Sequence, residues 1–186
     1  MPGKSCRFLV LLLLFSFCLF LSALARRACA AESDRFFEAG IGGGASLNGI
    51  NTTQVLLAPA YSIPLKNSDV FRVRIEGTVE LIEFRDRITA IAGVSPFLRV
   101  TWPLAGLRPF IEVSPGINYA SRKHLDGKKL RGPLLFSATG GVGLEMQLQK
   151  RPVSFSYRAR HLSNGHIYGK DNQGLDAHYL MLSIGF

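Results

Sequence analysis

Cysteine is missing from everything beyond residue 29. Cys6, Cys18 and Cys29 all fall in the first thirty residues. The remainder therefore holds neither a disulfide framework nor a metal–thiolate site. Past Leu24 there is no long uninterrupted apolar run, and past residue 30 there is no segment of helical period, no low-complexity tract and no long linker. A helical domain is excluded by that pattern. A strong excess of one charge is lacking too. Lys4, Arg7, Arg26 and Arg27 account for all the charge before residue 31, so removing four bases from 22 leaves 18 against 13 acids, a net of +5. That excess is too small to argue for nucleic acid, and it suits anionic lipid headgroups equally well. Gly40, Gly42, Gly43 and Gly44 are followed by no helix and so lack the context of a phosphate-binding loop. Strand bends or close packing account for them better.

What is present begins with a leader. Lys4 and Arg7 form a basic start, Phe8 to Leu24 is uncharged and apolar, and Ala28-Cys29-Ala30 supplies small residues. This order of regions is that of a secretory signal peptide. The alternative is an uncleaved anchor, for which the run sits at the short edge of the roughly 17–25 residues that a spanning helix needs. Arg27, just ahead of Cys29, argues against a lipoprotein site. The expectation is a signal over 1–30, removed on export, and one domain over 31–186.

After the leader, stretches of ten or more residues alternate with a period of two and are separated by turn residues. Eight can be drawn: 36–47, 53–64, 70–84, 88–101, 107–120, 133–148, 152–163 and 175–186. In the third, Phe71, Val73, Ile75, Val79 and Leu81 share one face and Arg72, Arg74, Glu76, Thr78 and Glu80 the other. The fifth, sixth and seventh repeat the pattern. It predicts an all-β fold, an eight-stranded antiparallel transmembrane β-barrel with its apolar face to lipid and its polar face inward. Eight strands enclose a space that side chains fill. Arg72, Arg74, Arg158 and Arg160 are expected to pair there with Glu76, Glu80, Glu112 and Glu145, which leaves no wide pore. Leu180, Leu182, Ile184 and Phe186 alternate to the last residue, and a terminal Phe after such a strand resembles the signal read in outer-membrane barrel assembly. With a periplasmic N-terminus, the turns near 65–69, 102–106 and 149–151 are periplasmic, and the longest connections, 121–132 and 164–174, are outside.

The same parity singles out a group of polar residues. The outward series Val153, Phe155, Tyr157, Ala159 continues to His161 and Ser163. Read backwards from Phe186, the outward series of the last strand reaches His178 and Asp176. Residues two apart in a strand are about 7 Å apart and point the same way. Cross-strand neighbours lie closer. A serine nucleophile needs a base, and the base needs an orienting acid. Ser163, His161 and Asp176 supply those types on one face, and Asn164 offers an amide for an oxyanion. The alternative is a set of polar residues at an aqueous rim. His178 is either a further member of the group or an interfacial histidine. Arg122, Lys123, His124, Lys128, Lys129 and Arg131 make the 121–132 loop basic, as a contact for phosphates or as a solvated loop.

His161-Leu162-Ser163-Asn164, with Asn172-Gln173-Gly174-Leu175-Asp176 and the aromatic-ended last strand, resembles the lipid A 3-O-deacylase (PagL) family. The resemblance implies a small outer-membrane barrel acting as a serine esterase on the ester-linked acyl chain at position 3 of lipid A. Ser163 then matches the nucleophile, His161 the base and Asn164 the oxyanion-supporting residue. Asp176 falls where the family usually has Glu, shorter by a methylene. The implied partners are lipid A or lipopolysaccharide as substrate and the lipids of the outer membrane. A homodimer in which a second subunit covers the outward site is compatible with the pattern. The scheme calls for no cofactor and no metal. Two other readings remain open at this point: a non-catalytic barrel serving adhesion or envelope integrity, and an acyl transferase that holds a chain inside the barrel. The charged lumen disfavours the latter.

Overall fold

The computed structural model describes residues 36–47, 51–65, 68, 70–85, 87–104, 106–122, 124–125, 128–129, 132–168 and 174–186. The signal-peptide expectation lies outside them. Eight long strands follow one another: β1 (Phe36–Ser46), β2 (Thr53–Pro64), β3 (Phe71–Phe84), β4 (Arg87–Thr101), β5 (Leu107–Ala120), β6 (Leu134–Leu148), β7 (Arg151–Ser163) and β8 (Leu175–Gly185). Each pairs antiparallel with its chain neighbours, and β8 returns to β1, with Glu38 opposite Gly185 and Ser46 opposite Ala177, to close the barrel. Closure removes every free edge, which is what allows strands to cross a layer that offers no water to unpaired amides. A two-residue hairpin, His124–Leu125 with Lys128–Lys129, sits in the β5–β6 connection.

The predicted strands agree with these to within one residue at each end. Alternation explains the accuracy, since a period of two identifies both the element and its inner face. Gln149 and Lys150 join β6 to β7, both at positive φ. A two-residue connection of this kind has the backbone twist that matches the flanking strands. Lumen-facing Gly40, Gly42 and Gly44 leave room for Ser183, Met181 and Tyr179 of β8, as close packing requires.

Ile41, Val55, Ile75, Val94, Val113, Ile117, Val142, Leu144, Phe155, Leu180 and Leu182 stand exposed around the outer wall. An apolar belt on all sides is stable in hydrocarbon rather than in water. Inside, charges meet charges. Arg74 bonds Glu38 at 2.8 Å and also Glu76. Arg158 bonds Glu112 at 2.7 Å and Glu76 at 3.0 Å. Arg99 bonds Glu112 at 2.9 Å and Glu145 at 3.3 Å. Arg72 lies 3.6 Å from Glu145, and Arg160 lies 2.8 Å from Glu80. The expected arginines and glutamates do pair, and Glu38 and Arg99 join them. Phe97 and Phe110 pack between the guanidinium groups, with Arg158 4.6 Å over the Phe97 ring and Arg99 4.0 Å over the Phe110 ring.

The lumen is not charged throughout. At the end where β7 meets β8, Ile82, Ile91, Ala120, Leu135, Leu162 and Leu175 form a buried apolar cluster. These residues sit on the inward parity of their strands, so alternation alone did not separate this plug from the charged section below it.

Candidate active site

The β7–β8 hairpin presents the group singled out by parity. His161 and Asp176 are register partners, directly opposite on adjacent strands. Both face outward, with side chains 52% and 40% exposed, so neither is sealed from an incoming molecule. His161 Nδ1 lies 2.6 Å from Asp176 Oδ1. The shorter Asp side chain therefore reaches the ring, because direct cross-strand register removes the need for an extra methylene. With Nδ1–H donated to the carboxylate, Nε2 is left as an acceptor.

The next inward pair, Leu162 and Leu175, is fully buried in the apolar cluster. The pair is therefore anchored from within by packing and turned outward by parity. Ser163 ends β7, two residues beyond His161 on the same face, opposite Phe136 of β6 and half-buried. Asn164 differs from its fellows. It is fully buried, and its Oδ1 accepts the His166 N–H at 2.9 Å while its carbonyl accepts the Ile167 N–H at 3.1 Å. Its side chain braces the turn after Ser163. His178 faces outward one step along β8, with its ring against Tyr157, centroids 5.9 Å apart.

A groove of about 310 Å³ opens beside His161 and Asp176, lined by Leu47, Ala138, Ala159, Arg160 and Ala177 as well. Ala138 is the register partner of His161, and Ala159 is the partner of both Gly140 and His178. Small residues at these positions keep the outer wall low beside His161. Sequence reasoning missed the groove, although Ala138, Gly140 and Ala159 all fall on the outward parity. Behind it, Arg160 also bonds Asn118, and the Tyr179 hydroxyl donates to Glu80. In the basic loop Arg122 is exposed, and the other positions lie on the short hairpin or outside the described residues. Asn172 and Gln173 also fall outside them.

Among curated proteins no sequence matches this chain. The model of one protein family, lipid A 3-O-deacylase (PagL), matches residues 61–185. Among solved structures, that of the outer membrane enzyme PagL is similar, with a TM-score of 0.69 and 18% identity, covering 78% of this chain and 97% of that one. Neisserial surface protein A (NspA) follows at a TM-score of 0.54 and 12% identity, covering 81% and 94%. The N-terminal β-barrel domain of Pseudomonas aeruginosa OprF has a TM-score of 0.50 and 14% identity, covering 83% and 98%. These structural likenesses concern the fold, while the family match spans more than half of the chain.

Proposed function

The chain belongs to the lipid A 3-O-deacylase (PagL) family, and from that premise we propose that it hydrolyses the position-3 acyl ester of lipid A through Ser163, His161 and Asp176. It is an outer-membrane barrel and a lipid A deacylase by family. The observation that carries the finer reading is the 2.6 Å contact between His161 Nδ1 and Asp176 on the outer wall, with Ser163 two residues further along the same strand.

In this scheme Asp176 holds the imidazole in the tautomer with Nδ1 protonated. His161 Nε2 takes the proton of Ser163 as Oγ attacks the ester carbonyl carbon. Collapse of the tetrahedral intermediate breaks the bond to the sugar oxygen, which leaves with the proton from Nε2. Water then attacks the acyl-serine with His161 as base again, and the fatty acid and free Ser163 are regenerated. Asn164 supports the developing oxyanion through the turn that it braces. An outward site suits a substrate held in the leaflet by about 0.8 kcal/mol per buried CH₂. The lipid arrives by lateral diffusion and need not leave the membrane. Acyl transfer with a chain inside the barrel is less compatible, because paired charges and two phenylalanine rings occupy the lumen.

The direct experiment is mass spectrometry of lipid A from cells that express the chain. Loss of one hydroxyacyl group supports the reading, and unchanged lipid A from a folded, membrane-inserted barrel overturns it. Two variants sharpen it. Asp176→Asn keeps the shape but favours the wrong tautomer, and is expected to lower kcat by about 10²–10⁴-fold. Asp176→Glu should restore most of that loss, as a role in holding the ring demands. Equal activity in Asp176→Asn and the parent would remove Asp176 from the mechanism.

The groove is the place for the acyl chain next to the ester. Ala159→Leu would put a branched side chain into it, with an expected drop in kcat/KM of about tenfold or more for long-chain substrates. The barrel should tolerate the change, since leucine on a lipid-facing wall is favourable. Comparing rates on long- and short-chain substrates checks this, and an equal drop for both would place the chain elsewhere.

A further inference from the structure

We propose that Gly174 is a positioning residue for the reaction, the seat on which the His161 imidazole rests. The inference rests on the deacylase reading above. Gly174 lies immediately before β8, at φ +60°. A Cβ built on it would stand 2.8 Å from His161 Cε1 and 3.3 Å from His161 Nε2, with the Leu162 carbonyl oxygen at 3.1 Å. The first distance is shorter than packed side chains tolerate, so the ring occupies the space that any other residue would fill.

The register shows what this does. Asp176 pairs with His161 and Leu175 with Leu162, and Gly174 precedes them at the hairpin end of the strands, where Ser163 closes β7. The ring is thus held at both edges. Its Nδ1 edge is bound to Asp176 at 2.6 Å, and its Cε1–Nε2 edge leans over the glycine one level further out. Asp176 alone leaves the ring free to swing about its bond to the carboxylate. The missing Cβ of Gly174 leaves the ring its place, and in this proposal it is from that place that Nε2 serves the serine. A side chain there must push the ring off this seat, and either the Asp176 bond or the approach of Nε2 to Ser163 is lost.

Gly174 answers to two demands, the left-handed backbone and the missing Cβ, and substitution can separate them. Alanine resists positive φ, whereas asparagine adopts it more readily. Both carry a Cβ. A seat predicts that Gly174→Ala and Gly174→Asn fail alike. A purely conformational role predicts that Gly174→Asn recovers. Gly106→Asn is the control, since Gly106 has φ +83° and nothing near its Cβ position, at the opposite end of the barrel.

The experiment uses the full barrel refolded in detergent, with heat-dependent gel migration to report folding. It reads fatty-acid release from lipid A and the rate at which a fluorophosphonate labels Ser163. Both Gly174 variants are expected to lose about 100-fold in kcat, as misplacement by about 1 Å costs, with KM nearly unchanged. Phosphonate labelling should slow in proportion, and Gly106→Asn should behave as the parent. Parent-like labelling and turnover by Gly174→Asn would overturn the inference and leave the deacylase reading standing. So would failure of both Gly174 variants to fold, because the glycine would then serve the chain and not the ring. A folded parent that neither releases fatty acid nor takes the label would sink the deacylase reading, and this inference with it.

Discussion

Ser163→Ala is expected to reduce lipid A deacylation by at least about 10³-fold while the barrel folds as before. Without Oγ the acyl intermediate proposed at this position cannot form. What remains is His161 acting on water, a route that lacks the short reach of a nucleophile fixed two residues away on the same face. Stability should not follow activity. Ser163 is the last residue of β7, its strand pairing to Phe136 is made by the backbone, and Leu162 beside it keeps the hairpin anchored in the apolar cluster. His161→Ala should lose a similar factor, and the double variant should lose little more than either single one, since in the proposed mechanism the two groups act as a unit. Mass spectrometry of lipid A from cells carrying each variant, with gel migration to report folding, measures both quantities together. Deacylation by a Ser163→Ala barrel at the parent's rate would refute the nucleophile assignment.

The second large effect is expected in the lumen, and it is one of stability. Glu112 is 1% exposed and bonds Arg99 at 2.9 Å and Arg158 at 2.7 Å. Glu112→Ala leaves two buried guanidiniums short of their shared acid, and breaking a buried pair from one side costs about 3–5 kcal/mol. Glu145 and Glu76 still bond those arginines, at 3.3 Å and 3.0 Å, which places the expected loss toward the lower end of that range. Glu83→Ala is the control. Glu83 is exposed near the rim, where a substitution usually changes stability by no more than about 0.5 kcal/mol. Urea unfolding of both variants in the same bilayer or detergent gives the comparison. Equal midpoints would show that the pairs only fill the barrel and contribute nothing net. Because Glu112 belongs to the charged section and His161 stands over the apolar plug, a stability loss at Glu112 should leave kcat of the folded fraction near that of the parent.

The two effects divide the molecule. Paired charges hold the middle of the barrel, and packed leucines hold the hairpin that carries the proposed reactive groups. A site built on two adjacent, hydrogen-bonded strands needs little else to fix His161 against Asp176, since direct register sets their separation.

Much of this was legible without coordinates. Alternation of period two gave the eight strands, the face of each and the outward direction of His161, Ser163 and Asp176, because side-chain direction in a strand is a local property. Two adjacent strands joined in sequence also bring His161 near Asp176 whatever the rest of the barrel does. Parity could not say that the two are exact register partners, nor that the Asp side chain is long enough. Asn164 was placed near the oxyanion by its position after Ser163 and by the family resemblance, and the sequence did not show that its buried side chain accepts the His166 N–H and braces the following turn. Parity read the inner face as charged and passed over Leu135, Leu162 and Leu175, which form the plug. It paired arginines with glutamates by count and left out Glu38 and Arg99. These are the features that depend on partners far apart in the chain. Which residues meet across a lumen is set by strand tilt and stagger once the sheet closes. Along the strands a period of two makes side-chain direction readable from local order, whereas the groups each side chain meets were settled when the barrel closed.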